Sequence, residues 1–431
     1  MIKETALDKI LYQIKKCIPK GVFDFFQPMY HRMLAYGGAM RYGFPSRGMK
    51  VIGITGTKGK STTVYMITKI LEASGANVAA IGSLGFKIRD KEWPNTLKMS
   101  MPGRFRLQKF LAEAKKSGCE YVVLEVTSEG IKQYRHLGIT FDTAVFTNIH
   151  REHLETHGSF ENYLHAKQEL FKLPKRFHVL NADDPQVDAF AKFSVQKKIT
   201  FGIQQGDIRP HDVQVSENKS EFKIKNETIR LHLGGEFNIL NALAAWTVGS
   251  LYDVPDTVMT TALSEIKSVP GRLEFVQTQP FNVVVDYAHT PESLRQVYQT
   301  LGNSKKQNPN SKLIAVLGAC GGGRDKWKRP EFGAIADKYA DIVILTDEDP
   351  YDEDPLSIIK QIESGFKKLE TVNCKLETVL DRKEAIGRAI QMAQPGDTVV
   401  ITGKGSEVSM AVAGNRKIPW SDRDIARSFL S

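Results

Sequence analysis

The chain has 431 residues, long enough for two or three domains with large buried cores. Hydrophobic residues at 41% and charged residues at 25% exclude a disordered, collagen-like or membrane-bundle chain, and no apolar run reaches the ~18 residues of a spanning helix. The net charge of +10 points to an anionic partner, whether nucleotide, nucleic acid or acidic lipid.

Residues 1–48 form a basic, aromatic-rich preface. Phe23, Phe25, Phe26, Tyr30, Tyr36, Tyr42 and Phe44 are spread through helix-compatible sequence, interrupted by His31, Arg32, Arg41 and several glycines. That pattern predicts a short helical arm packed on the next domain rather than a membrane anchor. From residue 49 onward, short β-branched runs alternate with helical patterns, the grammar of a mostly parallel sheet covered by helices. Val51–Ile54 leads into a Gly-rich turn and a helix through Val64 to Ala73, with Tyr121–Leu124 and Ala144–Phe146 as further buried strands. Polar alternation over residues 207–233 predicts an antiparallel hairpin region appended to that sheet. A second α/β series, with strands at Asn282–Val285, Leu313–Leu317, Ile342–Leu345 and Thr398–Ile401, places a boundary near residue 268. The expected class is α/β: a P-loop-type sheet domain over 49–267, then a Rossmann-like domain over 268–431.

Cys17, Cys119, Cys320 and Cys374 lack the close pairs of a zinc site or disulfide scaffold. The first residues carry acids early and no long apolar core, unlike a secretory signal, so a cytoplasmic protein with reduced thiols is expected. Basic residues are interleaved with acidic ones without a basic stripe, which argues against a nucleic-acid partner.

Chemistry concentrates at Thr55, Gly56, Thr57, Lys58, Gly59, Lys60, Ser61 and Thr62, between a predicted strand and a predicted helix. In that setting backbone N–H groups and a helix N-terminus cradle phosphates, Lys60 neutralises phosphate charge and the Ser61 hydroxyl ligates magnesium. The ordinary Walker pattern places glycine at position 54, where Ile54 stands, so the loop is a variant. A tight turn with no ligand would also fit these residues, but the flanking strand and helix favour nucleotide. Glu125, at the end of a predicted strand beside this loop, stands where a further magnesium ligand belongs.

The variant loop resembles that of the Mur ligases, ATP-dependent amide-forming enzymes related to folylpolyglutamate synthases. The resemblance continues in order: Glu125-Val126-Thr127-Ser128, Thr147-Asn148-Ile149 with His153-Leu154, Ala166-Lys167 with Leu170-Phe171, Asn181-Ala182-Asp183-Asp184, and Gly235-Glu236-Phe237-Asn238 with Asn241. Beyond them come Pro270-Gly271-Arg272, Asp286-Tyr287-Ala288-His289, and Arg324-Asp325-Lys326 with Lys328-Arg329-Pro330. It implies ATP and magnesium as cofactors, with Lys60, Glu125, His153 and Lys167 in the catalytic set. Ser61, Glu125, His153 and a carbamylated Lys167 are its implied metal ligands. Asn238 and His289 are placed near the adenine, and Arg272 and Asp286 hold ATP across the domain junction.

Within the family, Arg324, Asp349-Pro350 and Gly403-Lys404-Gly405-Ser406-Glu407 look most like the UDP-N-acetylmuramyl-tripeptide synthetase branch. That branch adds a third residue to UDP-N-acetylmuramoyl-L-alanyl-D-glutamate through an acyl phosphate. Ser100, Thr127, Gln133 and Arg135 then face the muramyl peptide; Arg324, Asp349, Gly403 and Glu407 face the incoming amino acid. Where diaminopimelate-adding members read D-N-P-R, this chain reads Glu348-Asp349-Pro350-Tyr351. Loss of the arginine and gain of a carboxylate favour lysine over diaminopimelate. Glu129 and Glu152 depart from the family pattern of histidine and aspartate. Only 48 residues precede the ATPase strand, where typical members carry a domain that grips uridine, so that domain is expected to be incomplete. The alternatives are a folylpolyglutamate- or cyanophycin-synthetase-like ligase on another carboxylate, or a nucleotide-binding partner subunit without ligase activity.

Overall fold

The computed structural model describes residues 20–97, 99–152, 154–302, 309–323, 325–366, 374–414 and 416–430. The eight-stranded sheet comprises β1 (Lys50–Thr55), β2 (Val78–Gly82), β3 (Gly85–Ile88), β4 (Lys91–Trp93), β5 (Tyr121–Glu125), β6 (Thr143–Phe146), β7 (Phe177–Asn181) and β8 (Lys197–Phe201). Its order is β4-β3-β2-β5-β1-β6-β7-β8, parallel from β2 to β8, with β3 and β4 antiparallel at one edge. Every residue of β5 is buried, because helices cover both faces, and such strands read as continuous apolar runs rather than alternation. On one side Ile52, Ile54, Val123 and Val145 pack with the helix Lys60–Ala73 and with Trp246 of the helix Glu236–Leu251. On the other, Val51, Val122, Leu124 and Phe146 meet Phe110 and Phe171.

The helix Glu236–Leu251 is apolar on nearly every side and correspondingly buried. Its Gly249 is required by close approach: a Cβ there would lie 2.9 Å from Ile70 and 2.5 Å from the sulfur of Met259.

Strands β9 (His211–Val215), β10 (Ser220–Ile224) and β11 (Glu227–Leu231) form their own antiparallel sheet instead of extending the large one. Phe222, Ile224, Ile229 and Leu231 bury one face into the same core that holds Trp246, which fixes this small sheet beneath the helices rather than at an edge.

The second sheet comprises β12 (Glu274–Gln277), β13 (Asn282–Asp286), β14 (Leu313–Leu317), β15 (Ile342–Leu345), β16 (Lys375–Thr378) and β17 (Thr398–Thr402). It runs in the order β12-β13-β17-β14-β15-β16, with only β12 antiparallel. A small antiparallel pair, β18 (Ser409–Val412) and β19 (Arg416–Pro419), follows. The C-terminal helix Asp422–Leu430 is pinned by a fully buried bidentate pair, with Arg382 Nε and Nη2 donating to Asp422 at 2.9 and 2.7 Å. Among the described residues no helix is long and apolar enough to cross a membrane.

Candidate active site

Strand β1 sits between β5 and β6, where the direction of strand addition reverses, and ligands bind open α/β sheets outside the carboxyl ends of strands at such points. There the loop from Thr55 to Lys60 turns into its helix through Gly59, whose φ of 79° favours glycine and whose Cβ would lie 2.3 Å from Asn241. A Cβ on Gly56 would come within 1.9 Å of the Thr147 hydroxyl. The segment after β6 clamps the loop. Thr147 Oγ1 donates to the Lys58 carbonyl at 2.7 Å, and Asn148 Oδ1 accepts from the Lys58 N–H at 2.8 Å. Thr57 Oγ1 lies 3.0 Å from the Tyr163 hydroxyl and accepts from the His150 N–H at 3.0 Å.

Three cations converge on this loop. Lys60 Nζ donates to the carbonyls of Gly56 and Thr57, both at 2.9 Å, and Lys167 Nζ donates to the Gly56 carbonyl at 2.7 Å. Lys58 Nζ lies 3.6 Å from Glu152. Burial lowers the pKa of all three. Lys58 falls to about 8 despite Glu152, and Lys167 falls well below its ordinary value, with Lys60 adding to the effect of burial.

Beside them is a cluster of hard oxygen donors. Ser61 Oγ is 2.5 Å from Ser83 Oγ and donates to Glu125 Oε2 at 3.1 Å; the same carboxylate oxygen accepts from the Ser83 N–H at 2.9 Å. Gly82 leaves the room: a Cβ there would lie 2.9 Å from Glu125 Oε2. A carboxylate and hydroxyls at the foot of a phosphate loop fit magnesium, which keeps several waters and takes one or two carboxylates together with substrate phosphates. His153, expected beside them, lies outside the described residues.

The second domain closes over this cluster. Arg272 Nη2 donates to Ser83 Oγ at 3.2 Å and Ser61 Oγ at 3.4 Å, with its guanidinium 4.5 Å above the Tyr287 ring. Asp286 ends β13 with both oxygens occupied, by the N–H groups of Leu273 (2.6 Å) and Ala288 (2.7 Å), so it shapes the turn that carries Arg272. Burial raises its pKa, opposed by Arg272. His289 packs on Tyr287, donates from Nδ1 to its carbonyl at 2.7 Å, and is held well below its ordinary pKa by burial. Asn238 lies at the start of the helix Glu236–Leu251, donates to Gly234 at 2.8 Å and accepts from Asn241, which in turn accepts from Thr63 of the phosphate-loop helix.

The proposed peptide-facing residues also come together. Arg135 donates to Gln133 Oε1 at 2.7 Å and to the Met101 carbonyl, and lies 3.5 Å from Met99 Sδ, which places half-buried Ser100 between two of its contacts. Thr127 caps the helix Ser128–Lys132, its hydroxyl accepting from the Gly130 N–H at 3.0 Å.

On the amino-acid side the structure changes the reading of Asp349. Its charge is not bare: Lys404 Nζ lies 2.8 Å from Oδ2, and Oδ1 accepts from the Ala411 N–H at 2.6 Å. Lys404 also pairs with Glu407, which accepts from the Tyr287 hydroxyl at 3.2 Å. Against the burial that would lower it, Glu407 and Asp349 raise the pKa of Lys404. Burial pushes Glu348 up to about 8. Gly403 is required where it stands, since a Cβ would meet Glu348 at 1.8 Å and φ is 108°. Arg324 lies outside the described residues. A 660 Å³ cleft adjoins this side, with Glu407, Trp420 and Arg423 among its walls.

Sequence reasoning missed Ser83, and it gave no role to Tyr287 and Lys404 although both stand in motifs it singled out. Ser83 joins Ser61 only because β2 is the neighbour of β5, and strand order leaves no local trace.

Comparison with known proteins agrees with the geometry. The family model described as the Mur ligase middle domain matches residues 54–249, and the one described as the Mur ligase glutamate ligase domain matches residues 271–405. The UDP-N-acetylmuramoyl-L-alanyl-D-glutamate--2,6-diaminopimelate ligase of Caldanaerobacter subterraneus subsp. tengcongensis is 38% identical over 90% of this chain and 80% of its own. The UDP-N-acetylmuramyl-tripeptide synthetase of a Roseiflexus species is 37% identical over 92% of this chain and 82% of its own. A solved structure of a UDP-N-acetylmuramoyl-L-alanyl-D-glutamate--2,6-diaminopimelate ligase superposes with a TM-score of 0.63 at 29% identity, covering 93% of this chain and 82% of that one. On the phosphate loop, the oxygen cluster at its foot and these relatives together, the chain belongs to the Mur ligase family.

Proposed function

We propose that this protein is an ATP-dependent acid–amino acid ligase that adds the third residue to UDP-N-acetylmuramoyl-L-alanyl-D-glutamate in the cytoplasm. Residues 49–267 bind ATP and residues 268–431 bind the amino acid. The observation that carries the reading is the meeting of Ser61, Ser83 and Glu125 with Arg272 from the other domain, which puts a phosphate loop against the second sheet's strand ends. A folylpolyglutamate-like ligase shares this fold, but relatives 37–38% identical over 90–92% of this chain are a tripeptide synthetase and a diaminopimelate ligase.

The γ-phosphoryl group passes to the D-glutamate side-chain carboxylate, forming an acyl phosphate and ADP. The amine of the incoming amino acid attacks the acyl carbon, and phosphate leaves from the tetrahedral adduct. Little covalent work falls to the protein; positioning and charge neutralisation dominate. Lys60, turned from the Gly56 and Thr57 carbonyls to the phosphates, and Lys58 neutralise charge as it develops. Arg272 reaches the same place from the facing domain. Magnesium bound by Ser61 and Glu125 would screen the phosphates. Lys167 is suited to carbamylation because burial favours its neutral amine, the form that attacks carbon dioxide. The N–C bond forms, a proton is lost, and the cation becomes an anionic oxygen donor. Thr127, Gln133 and Arg135 orient the peptide, and Asn238 and His289 border the adenine.

For the amino acid we propose lysine over diaminopimelate. Tyr351 stands at the family's arginine position, and the neighbouring cations are engaged: Lys326 and Arg329 pair with Glu353 at 3.1 and 2.8 Å. Phosphate release with UDP-muramoyl-dipeptide, ATP and each amino acid in turn tests both levels. Absence of turnover with every amino acid defeats the ligase reading; exclusive use of meso-diaminopimelate defeats the lysine reading alone.

A further inference from the structure

The helix Lys20–Arg41 is apolar on two sides, and only one of them is covered. His31, Ala35, Gly38 and Ala39 are buried; Gly38 lies against Phe105 of the helix Arg104–Lys116, and Ala39 against Gly138. The opposite side carries Phe26, Met29, Tyr30, Met33, Tyr36 and Met40, which helical periodicity gathers on one face, with Met33 67% and Met40 64% exposed. These are six of the fourteen large apolar side chains exposed among the described residues, so the exposure is concentrated on this helix.

The border of the stripe is basic. Arg32, Arg41, Arg47, Lys109, Lys115 and Lys116 are all exposed, and Lys115 Nζ donates at 3.0 Å to the carbonyl of Arg47, in the turn that follows the helix Lys20–Arg41, which ties the second helix's cations to the end of the first. Glu113 is the one acid among the described side chains of the two helices, and it pairs with Lys109 at 3.7 Å. The sequence hid this patch because its halves are some seventy residues apart, as Arg47 and Lys115 show.

We propose that this face docks the enzyme on an anionic lipid bilayer, the helix lying in the interface with its methionines and aromatic rings among the acyl chains. Charge decides among occupants. A two-fold contact with a second copy would set Arg32 and Arg41 against the same cations of the partner, whereas anionic headgroups complement them. Each juxtamembrane cation adds to the attraction toward such a surface. Burial of thioether and aromatic side chains supplies the second, apolar signal that stable attachment needs.

The full chain should cosediment with phosphatidylcholine vesicles containing about 30% phosphatidylglycerol, and only weakly with pure phosphatidylcholine or at high salt. Met33→Asp with Met40→Asp should lower partitioning at least about tenfold without moving the melting temperature, because both positions are solvent-exposed. Arg41→Glu with Lys115→Glu should weaken it and flatten its salt dependence. No cosedimentation with anionic vesicles at low salt overturns the proposal. So does vesicle binding that the methionine pair leaves unchanged, or sedimentation velocity showing that the pair instead dissolves a dimer. The readout needs no turnover, so it stands apart from the ligase assignment.

Discussion

Lys167 concentrates the residue-scale argument: a buried lysine on the helix Phe160–Gln168, folded inward onto the Gly56 carbonyl, with burial lowering its pKa well below the ordinary value. Lys167→Ala is expected to keep the fold and lose roughly a hundredfold or more in turnover, with partial recovery on adding short-chain carboxylates. A thermal melt alongside the rescue assay separates this outcome from misfolding. Gly56→Ala has a different signature. Its Cβ would collide with the Thr147 hydroxyl, so about 1–3 kcal/mol of stability should be lost together with ATP affinity, read by urea denaturation and nucleotide titration. The placement of the Gly-Lys-Ser run between a strand and a helix was legible in its residues, because an apolar β-branched run precedes it and a helical pattern follows. The pairing of Asp349 was not. Its partner Lys404 sits 55 positions away, and nothing local distinguishes a bare carboxylate from one already paired.

Elements were legible where burial makes them monotonous. Tyr121–Leu124, Leu313–Leu317 and Thr398–Ile401 lie in strands covered on both faces and read as uninterrupted apolar or β-branched runs. The three-stranded sheet was recognised as antiparallel, but its attachment was misplaced, since alternation reports a buried face and not what buries it. Packing between the helices Lys60–Ala73 and Glu236–Leu251 depends on Gly249. Gly249→Val should therefore cost about 1–3 kcal/mol and move the phosphate loop's helix, lowering ATP affinity beyond what the stability loss explains. Isothermal titration at a temperature well below the transition checks it.

Across the whole molecule, acid is predicted to destabilise the fold through its buried histidines as well as its carboxylates. Burial lowers His136 and His178 to about 4, so between the ordinary value near 6.5 and 4 the unfolded chain binds protons that the native one refuses. Stability from these two groups is complete above pH 6.5 and declines as pH falls toward 4. Urea midpoints measured at pH 7.5 and 5 should show that decline, and His178→Phe should flatten it. The domain junction also bears on Glu152, the residue that departs from the family's aspartate. Its buried carboxylate touches Lys58 of the phosphate loop and Lys328 of the second domain, whose neighbour Asp325 accepts Lys328 at 2.6 Å and donates its own N–H to Glu155 at 2.7 Å. Glu152 thus acts as a strut between two bodies, and on the proposed function phosphate arriving at Lys58 would compete with it for the same charge. The proposed nucleotide site and the domain spacing then share one oxygen pair, and shortening the strut by Glu152→Asp should trade grip between the domains for a freer lysine at the loop.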